Sequence, residues 1–146
     1  MNTAKKLALC LLPLLPLAVT PACIGTAPPS FVKTINTDWT TMPLKAGVTP
    51  EQAWINALDI IMGNYDMEMI NKDAAYARSA WTYAANRSGV FQGPYRTRVI
   101  FRLSPNKDAL LLKVEAQSGG EGQWISGYDV DILNNIKQDI TAIIGR

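Results

Sequence analysis

The stretch from residue 95 to residue 117, YRTRVIFRL-SPNKD-ALLLKVEAQ, decides the fold of this 146-residue chain. In residues 95–103 apolar side chains alternate with arginines, which is the period of a strand with one buried and one wet face. Residues 104–108 contain Pro and Asn and suit a hairpin loop, and residues 109–117 alternate again on the way back. The buried face is expected to carry Tyr95, Thr97, Val99, Phe101, Leu103, Leu110, Leu112, Val114 and Ala116. The opposite face is expected to carry Arg96, Arg98, Ile100, Arg102, Lys113, Glu115 and Gln117.

Two helices flank this hairpin in the sequence. Residues 49–52, Thr-Pro-Glu-Gln, form a capping box with Pro at the first helical position. They predict a helix over residues 50–62, closed by Gly63 with a positive φ. Isoleucines and leucines at helical spacing predict a second helix over residues 129–144. Each helix has one apolar stripe, so both must cover an apolar surface.

Shorter strands complete the predicted sheet. Residues 34–42 are interpreted as a first edge strand, residues 65–69 as an alternating strand, and residues 76–85 as a strand. In the last of these, Trp81 shares the core face with Ala77, Ser79 and Tyr83. Ser118 to Gly122 is interpreted as a flexible loop. The fold class is therefore α+β, an antiparallel sheet of four to five strands with two helices packed on one face.

The first 22 residues have the composition of a targeting signal. Lys5 and Lys6 precede an uncharged apolar run over residues 7–19. Because a membrane-spanning helix needs roughly 20 apolar residues, this run is too short to span a bilayer. We predict that residues 1–22 are a secretory signal peptide.

The end of this signal resembles the lipobox of bacterial lipoproteins, since Cys23 follows the small residue Ala22. The resemblance implies that Cys23 is acylated and that its acyl chains anchor the protein in a membrane. Ile24, which stands where an Asp would favour the inner membrane, implies an outer-membrane lipoprotein that faces the periplasm. We expect residues 23–33 to form the lipidated Cys and a tether, and residues 34–146 a single domain.

Charge and composition exclude several classes of function. Without the signal and its two lysines, 12 basic residues remain against 12 acidic ones, and this neutral balance argues against nucleic acid as a partner. The chain has no His, which excludes His-based metal sites and Ser-His or Cys-His catalytic pairs. Two carboxylate pairs remain. Asp66 with Glu68 is interpreted as part of a wet strand face or as an acid–base or metal pair. Asp129 with Asp131 is interpreted as a helix cap or a weak calcium site. We predict no enzyme activity, no metal and no cofactor.

The best candidate for function is a row of cations on the wet sheet face. Arginine forks bind carboxylates and phosphates in a bidentate way. The alternative is a solvated face that Glu115 partly neutralises. Trp54 and Trp81 are predicted in the core, whereas Trp124 is either a lid over the core or an exposed binding aromatic. The candidate partner-binding residues are Arg78, Arg96, Arg98, Arg102, Lys113 and Trp124.

The order of these segments resembles the helix-grip domains of the BamC lipoprotein family. The segments that carry the likeness are YARSAWTY, YRTRVIF, the Lys-Val-Glu-Ala-Gln strand, and Trp124 with residues 127–129, and it extends over residues 48–146. It implies a non-enzymatic accessory or scaffold subunit that binds another envelope protein. The alternative function is a module that holds a lipid or other apolar ligand in a cavity lined by Met67 and Met69. A carboxylate-based hydrolase is the third hypothesis.

Overall fold

The computed structural model describes residues 27–83, 94–120 and 123–144. The predicted signal peptide and Cys23 lie outside these residues. The two helices are α1 (Pro50–Met62) and α2 (Val130–Ile144). The strands are β1 (Phe31–Lys33), β2 (Thr40–Pro43), β3 (Met67–Asn71), β4 (Tyr76–Ser79), β5 (Thr82–Tyr83), β6 (Tyr95–Leu103), β7 (Ala109–Gly120) and β8 (Gln123–Asp129).

The strands form one open antiparallel sheet in the order β1-β8-β7-β6-β4-β3, in which β2 also pairs with β7 and β5 with β6. The predicted α+β class, with two helices on an antiparallel sheet, is confirmed. The predicted count of four to five strands is wrong, because the described residues form eight. The extra strands are mostly short, and β5 has only two residues, which is too few for an alternating pattern to be recognised.

The hairpin at the centre of the sheet has its predicted first strand, residues 95–103, and its predicted loop, residues 104–108. Strand β6 pairs with β7 from Tyr95 opposite Ser118 to Leu103 opposite Leu110. Ser104 Oγ closes the loop, since it accepts from the Asp108 and Ala109 amides at 3.1 Å each. Strand β7 continues to Gly120, so the first part of the predicted flexible loop is paired strand. Strand β8, which returns beside it, was not predicted.

The core lies between both helices and one face of the sheet. Val99, Phe101 and Leu112 are fully buried in it, and the Trp54 ring on α1 lies 6.4 Å from the Phe101 ring. Burial of one such side chain contributes about 1.5–3 kcal/mol. The predicted inward positions of β6 and β7 are confirmed, as is the core position of Trp54.

Both predicted helices are confirmed, and both begin at a capped residue. Thr49 Oγ1 accepts from the Gln52 amide while Gln52 Oε1 accepts from the Thr49 amide, each at 3.2 Å. At the start of α2, Asp129 Oδ1 accepts from the Asp131 and Ile132 amides at 3.1 Å each. The positive φ predicted for Gly63 is wrong. Its φ is −65°, because its N–H still donates to the Asp59 carbonyl as in a helix.

The N-terminal part of the described chain corrects two predictions. Residues 31–33 were placed in the tether, but they form β1 and pair with β8, with Phe31 opposite Asp129. Residues 34–42 were predicted as one strand, whereas β1 ends at Lys33 and β2 begins at Thr40. Strand β1 lies so close to Gly127 that a Cβ there would collide with the Val32 carbonyl oxygen.

A bulge separates β4 from β5 and reverses the faces of the side chains that follow it. Ala77 lies opposite Phe101 and Thr82 lies opposite Thr97, so five residue steps on one side match four on the other. The fully buried Ser79 fills the gap, since its Oγ accepts from the Val99 amide at 2.9 Å. Trp81 consequently lies on the face away from the helices, and its predicted core position is wrong.

We expect Ser79→Ala to destabilise the protein by about 1–3 kcal/mol, because it leaves the buried Val99 N–H without its acceptor. The free energy of unfolding in urea measures this. Ser126→Ala is the matched control, since the Ser126 side chain is exposed. Equal effects of the two substitutions would contradict the role of Ser79 in the bulge.

Candidate functional site

The outer sheet face is the face of the sheet opposite the two helices. Alternation along β6 brings its arginines to this face, and the β6–β7 register sets Glu115 beside Arg98 and Gln117 beside Arg96. Three of the four tryptophans also lie here, each partly buried against a cation. We call this group the tryptophan–arginine layer. Its members are Trp39, Trp81, Arg96, Arg98, Arg102, Lys113 and Trp124.

Arg96 is held between two indole rings. Its Cζ lies 4.2 Å from the centroid of Trp124 and 4.6 Å from that of Trp81. Its Nε and Nη2 donate to Gln117 Oε1 at 2.9 and 2.7 Å, and its Nη1 donates to the Tyr83 hydroxyl at 3.3 Å. These partners are neutral, and among the described residues no carboxylate pairs with Arg96. The guanidinium is therefore held in position, and no carboxylate of the described residues pairs with it.

Arg98 lies beside Arg96 and, unlike Arg96, is paired with a carboxylate of the described residues. Its Cζ is 4.5 Å from the Trp81 ring, and its Nε and Nη2 lie 2.7 and 2.6 Å from Glu115 Oε2. The other oxygen of Glu115 is 3.3 Å from Lys113 Nζ. Glu115 thus partly neutralises this section of the face, as one of the two sequence interpretations expected.

Arg102, at the other end of β6, and Arg78, on the neighbouring strand β4, complete the predicted row. Arg102 stacks on Trp39 at 4.7 Å, and its buried Nε has no hydrogen-bond partner in the described part of the chain. Arg78 Nε lies 3.0 Å from Glu68 Oε2. The five predicted cations are therefore not equivalent. Arg78 and Arg98 are paired with carboxylates, whereas Arg96 and Arg102 lie against aromatic rings and pair with no carboxylate of residues 27–83, 94–120 and 123–144.

Sequence reasoning did not place Trp39 and Trp81 in this site. Residues 34–42, which contain Trp39, were predicted only as an edge strand, and Trp81 was predicted in the core. The alternating pattern gave the wrong face for Trp81, since the bulge shifts its phase. Trp124 lies on the outer sheet face against Arg96, so the interpretation as a lid over the core is wrong.

A second polar group lies at the start of α2. Asp129 is only 4% exposed, and its Oδ2 accepts from the Tyr95 hydroxyl at 2.6 Å and from Ser30 Oγ at 2.9 Å. Burial and this hydrogen bond raise the pKa of Tyr95 well above its ordinary value of 10.0. Both Asp129 oxygens already accept hydrogen bonds, which argues for a structural cap rather than a calcium ligand.

Residues 27–83, 94–120 and 123–144 offer little evidence for a catalytic site or a metal site. They contain no group of three or more His, Cys, Asp and Glu that could hold a metal ion. Glu68 is paired with Arg78, and the backbone oxygen of the exposed Asp66 accepts from the Ala80 amide. The ion pair of Glu68 with Arg78 favours the interpretation of these residues as part of a wet strand face.

Clefts on this domain do not match the predicted ligand cavity. The cleft of about 790 Å³ lies between the start of α1 and the loops at residues 72–75 and 103–107. Neither Met67 nor Met69 lines this cleft, and Met69 is 46% exposed. Neither helix of the described chain is long and apolar enough to cross a membrane.

The Tyr95–Asp129 pair predicts a pH dependence of stability. The raised pKa means that the protonated phenol stabilises the fold fully below pH 10, and that this stability is lost as pH rises above 10.0. Tyr95→Phe should lower the unfolding free energy at pH 7 by about 1.5–3 kcal/mol and flatten its fall above pH 10. Urea titrations at several pH values measure both effects. Tyr83→Phe keeps the buried pair and should keep the steep fall; an equally steep fall in Tyr95→Phe would contradict the assignment.

Arg96 and Arg98 should respond differently to salt. Arg96→Met and Arg98→Met each remove stacking and hydrogen bonds, and we expect each to lower stability by about 1 kcal/mol at low salt. Because the screening length falls from about 10 Å at 0.1 M to about 3 Å at 1 M salt, the effect of Arg98→Met should shrink there. The effect of Arg96→Met should persist, since its partners are neutral. Lys137→Met, on the exposed side of α2, is the control. An identical salt response for both arginines would contradict this division.

Comparison with known proteins adds no identity to these observations. No family model matches the chain, and no curated protein matches it. The resemblance to the BamC helix-grip domains stays a prediction. Function is therefore argued from the residues of the site.

Proposed function

We propose that this protein is a non-enzymatic accessory or scaffold subunit of the bacterial envelope. In this proposal it is an outer-membrane lipoprotein, anchored through acylated Cys23 and facing the periplasm. Its tryptophan–arginine layer binds an acidic segment of another envelope protein. The two-layer packing of helices on an open sheet supports the further proposal that the domain is of the helix-grip type.

The observation that carries this proposal is that Arg96 and Arg102 are held against indole rings and pair with no carboxylate in the described part of the chain. Each guanidinium stacks on indole, so less side-chain freedom is lost when a carboxylate binds it. A carboxylate at either site would gain a charge-assisted hydrogen bond.

The composition of the layer also supports a protein partner. Tryptophan and arginine are enriched at the energetic centres of protein interfaces, where they combine large contact area with directed hydrogen bonds. The layer has four cations, with Glu115 as the carboxylate that pairs within it, although the chain after the signal is neutral overall. This local excess of positive charge favours a partner surface that bears carboxylates.

Crosslinking and affinity purification from intact cells test the partner. Arg96→Glu with Arg102→Glu should abolish the capture of an envelope protein, because reversed charges repel its carboxylates. Lys137→Glu, an exposed charge reversal on α2, is the matched control and should leave capture intact. Unfolding curves for each purified variant establish that the fold is retained. Unchanged capture by the folded double variant would overturn the proposed interface.

The same cells test the anchor. Cys23→Ala should move the protein out of the outer-membrane fraction and remove the acyl mass, since acyl chains on that thiol and amine hold it there. Wild-type protein with an acyl mass is the reference. A Cys23→Ala protein that keeps its mass and its place in the membrane would overturn lipidation.

A further inference from the structure

One corner of the domain exposes three aliphatic side chains. Ile35 is 95% exposed, Ile125 is 45% exposed and Val32 is 39% exposed. These residues lie where β1 ends beside β8. Lys33, Ile35, Trp124 and Ile125 line one cleft of about 560 Å³ there. We call Val32, Lys33, Ile35, Trp124 and Ile125 the β1 corner.

The chain from the proposed anchor joins the domain at Ser30, two residues before the β1 corner begins at Val32. Ala27, the first described residue, follows Cys23 by four residues, which span at most about 14 Å when fully extended. The chain then turns onto the sheet at once, because the Phe31 amide donates to the Pro28 carbonyl at 2.9 Å. Ser30 is fixed on both sides, since its carbonyl accepts from the Val130 amide and its Oγ donates to Asp129 Oδ2, each at 2.9 Å. An acylated Cys23 would therefore hold this corner next to the bilayer.

The chemistry of the corner fits a lipid surface. Exposed isoleucine and valine gain free energy when they enter the boundary between headgroups and acyl chains. Tryptophan is enriched at that boundary, where its ring is apolar and its N–H reaches polar groups. Lys33 can extend its aliphatic stem along the apolar surface and place its amine near lipid phosphates. Arg96 stacks on Trp124 and so borders this corner, but the corner itself carries one cation, Lys33, and three exposed aliphatic side chains, which favours lipid over an acidic protein segment.

We infer that the β1 corner is a second membrane contact, which docks on the surface of the bilayer that holds the acyl chains. This inference rests on the proposed acylation of Cys23. With two contacts the domain cannot rotate freely about its anchor. The tryptophan–arginine layer then starts at the bilayer with Trp124 and extends along β6 to Arg102, which is six residues, or about 20 Å, beyond Arg96. Arg102 is thereby presented to a partner in the periplasm.

Site-specific photo-crosslinking of the full chain in living cells tests this contact. A benzophenone amino acid replaces Ile35 in one variant and Ile143 in the control, which is 48% exposed on α2. Both positions are exposed, so neither change should disturb the core. Mass spectrometry of the purified protein then measures phospholipid adducts and acylation together. We expect several times more lipid adduct at position 35 than at position 143.

Each outcome decides one part of the inference. Equal lipid adducts at the two positions, or a protein adduct in place of lipid at position 35, would overturn the membrane contact. An acylated protein without lipid adduct at position 35 would overturn the contact while the anchor stands. A protein without acylation that still forms the adduct at position 35 would support the contact and overturn the anchor. Loss of both acylation and adduct would overturn both.

Discussion

The antiparallel pairing of β6 with β7 is the interaction on which the rest of the structure depends. Nine residue pairs in continuous register assign every side chain of β6 to one of two faces. One face receives Val99 and Phe101, against which both helices pack. The other receives the arginines. A shift of one residue would exchange the two faces, so the apolar core and the charged outer face depend on the same register.

The outer sheet face is organised by a second constraint, the bulge at Ser79. Because the bulge adds one residue to this strand, Trp81 lies on the side of Arg96 and Arg98 instead of on the side of the core. A serine suits this place because its hydroxyl replaces the missing backbone acceptor for Val99 within a fully buried site. The indole then separates two guanidiniums of like charge and stacks on both. Arg96 is held in this layer without a carboxylate partner among the described residues, and the proposed partner interface uses this property.

The N-terminal segment connects this layer to the proposed anchor. Phe31 lies against Tyr95, with ring centroids 5.9 Å apart, and Tyr95 donates to Asp129 at the start of α2. The buried carboxylate of Asp129 thus links the residue before β1, strand β6 and the start of α2. Within the proposals made above, the anchor, the β1 corner and the layer follow one another from the bilayer toward the periplasm. A rigid connection of this kind would suit a scaffold that holds its partner at a fixed distance from the membrane.

The sequence by itself determined the central hairpin, both helices with their N-terminal caps, and the separation of apolar and charged faces. These features depend on residues near each other in the chain, where alternation, helical spacing and capping boxes are visible. Strand β8, the inclusion of β1 in the sheet and the outward face of Trp81 were decided only by the tertiary structure. Strand β1 pairs with residues 127–129, which lie nearly a hundred positions away in the chain. Trp81 lies on the outer face because of the bulge, in which Ser79 Oγ accepts from the Val99 amide. The arginine row was visible in the sequence, but the pairing of each arginine was not, because ring stacking and ion pairs form only between strands already in register.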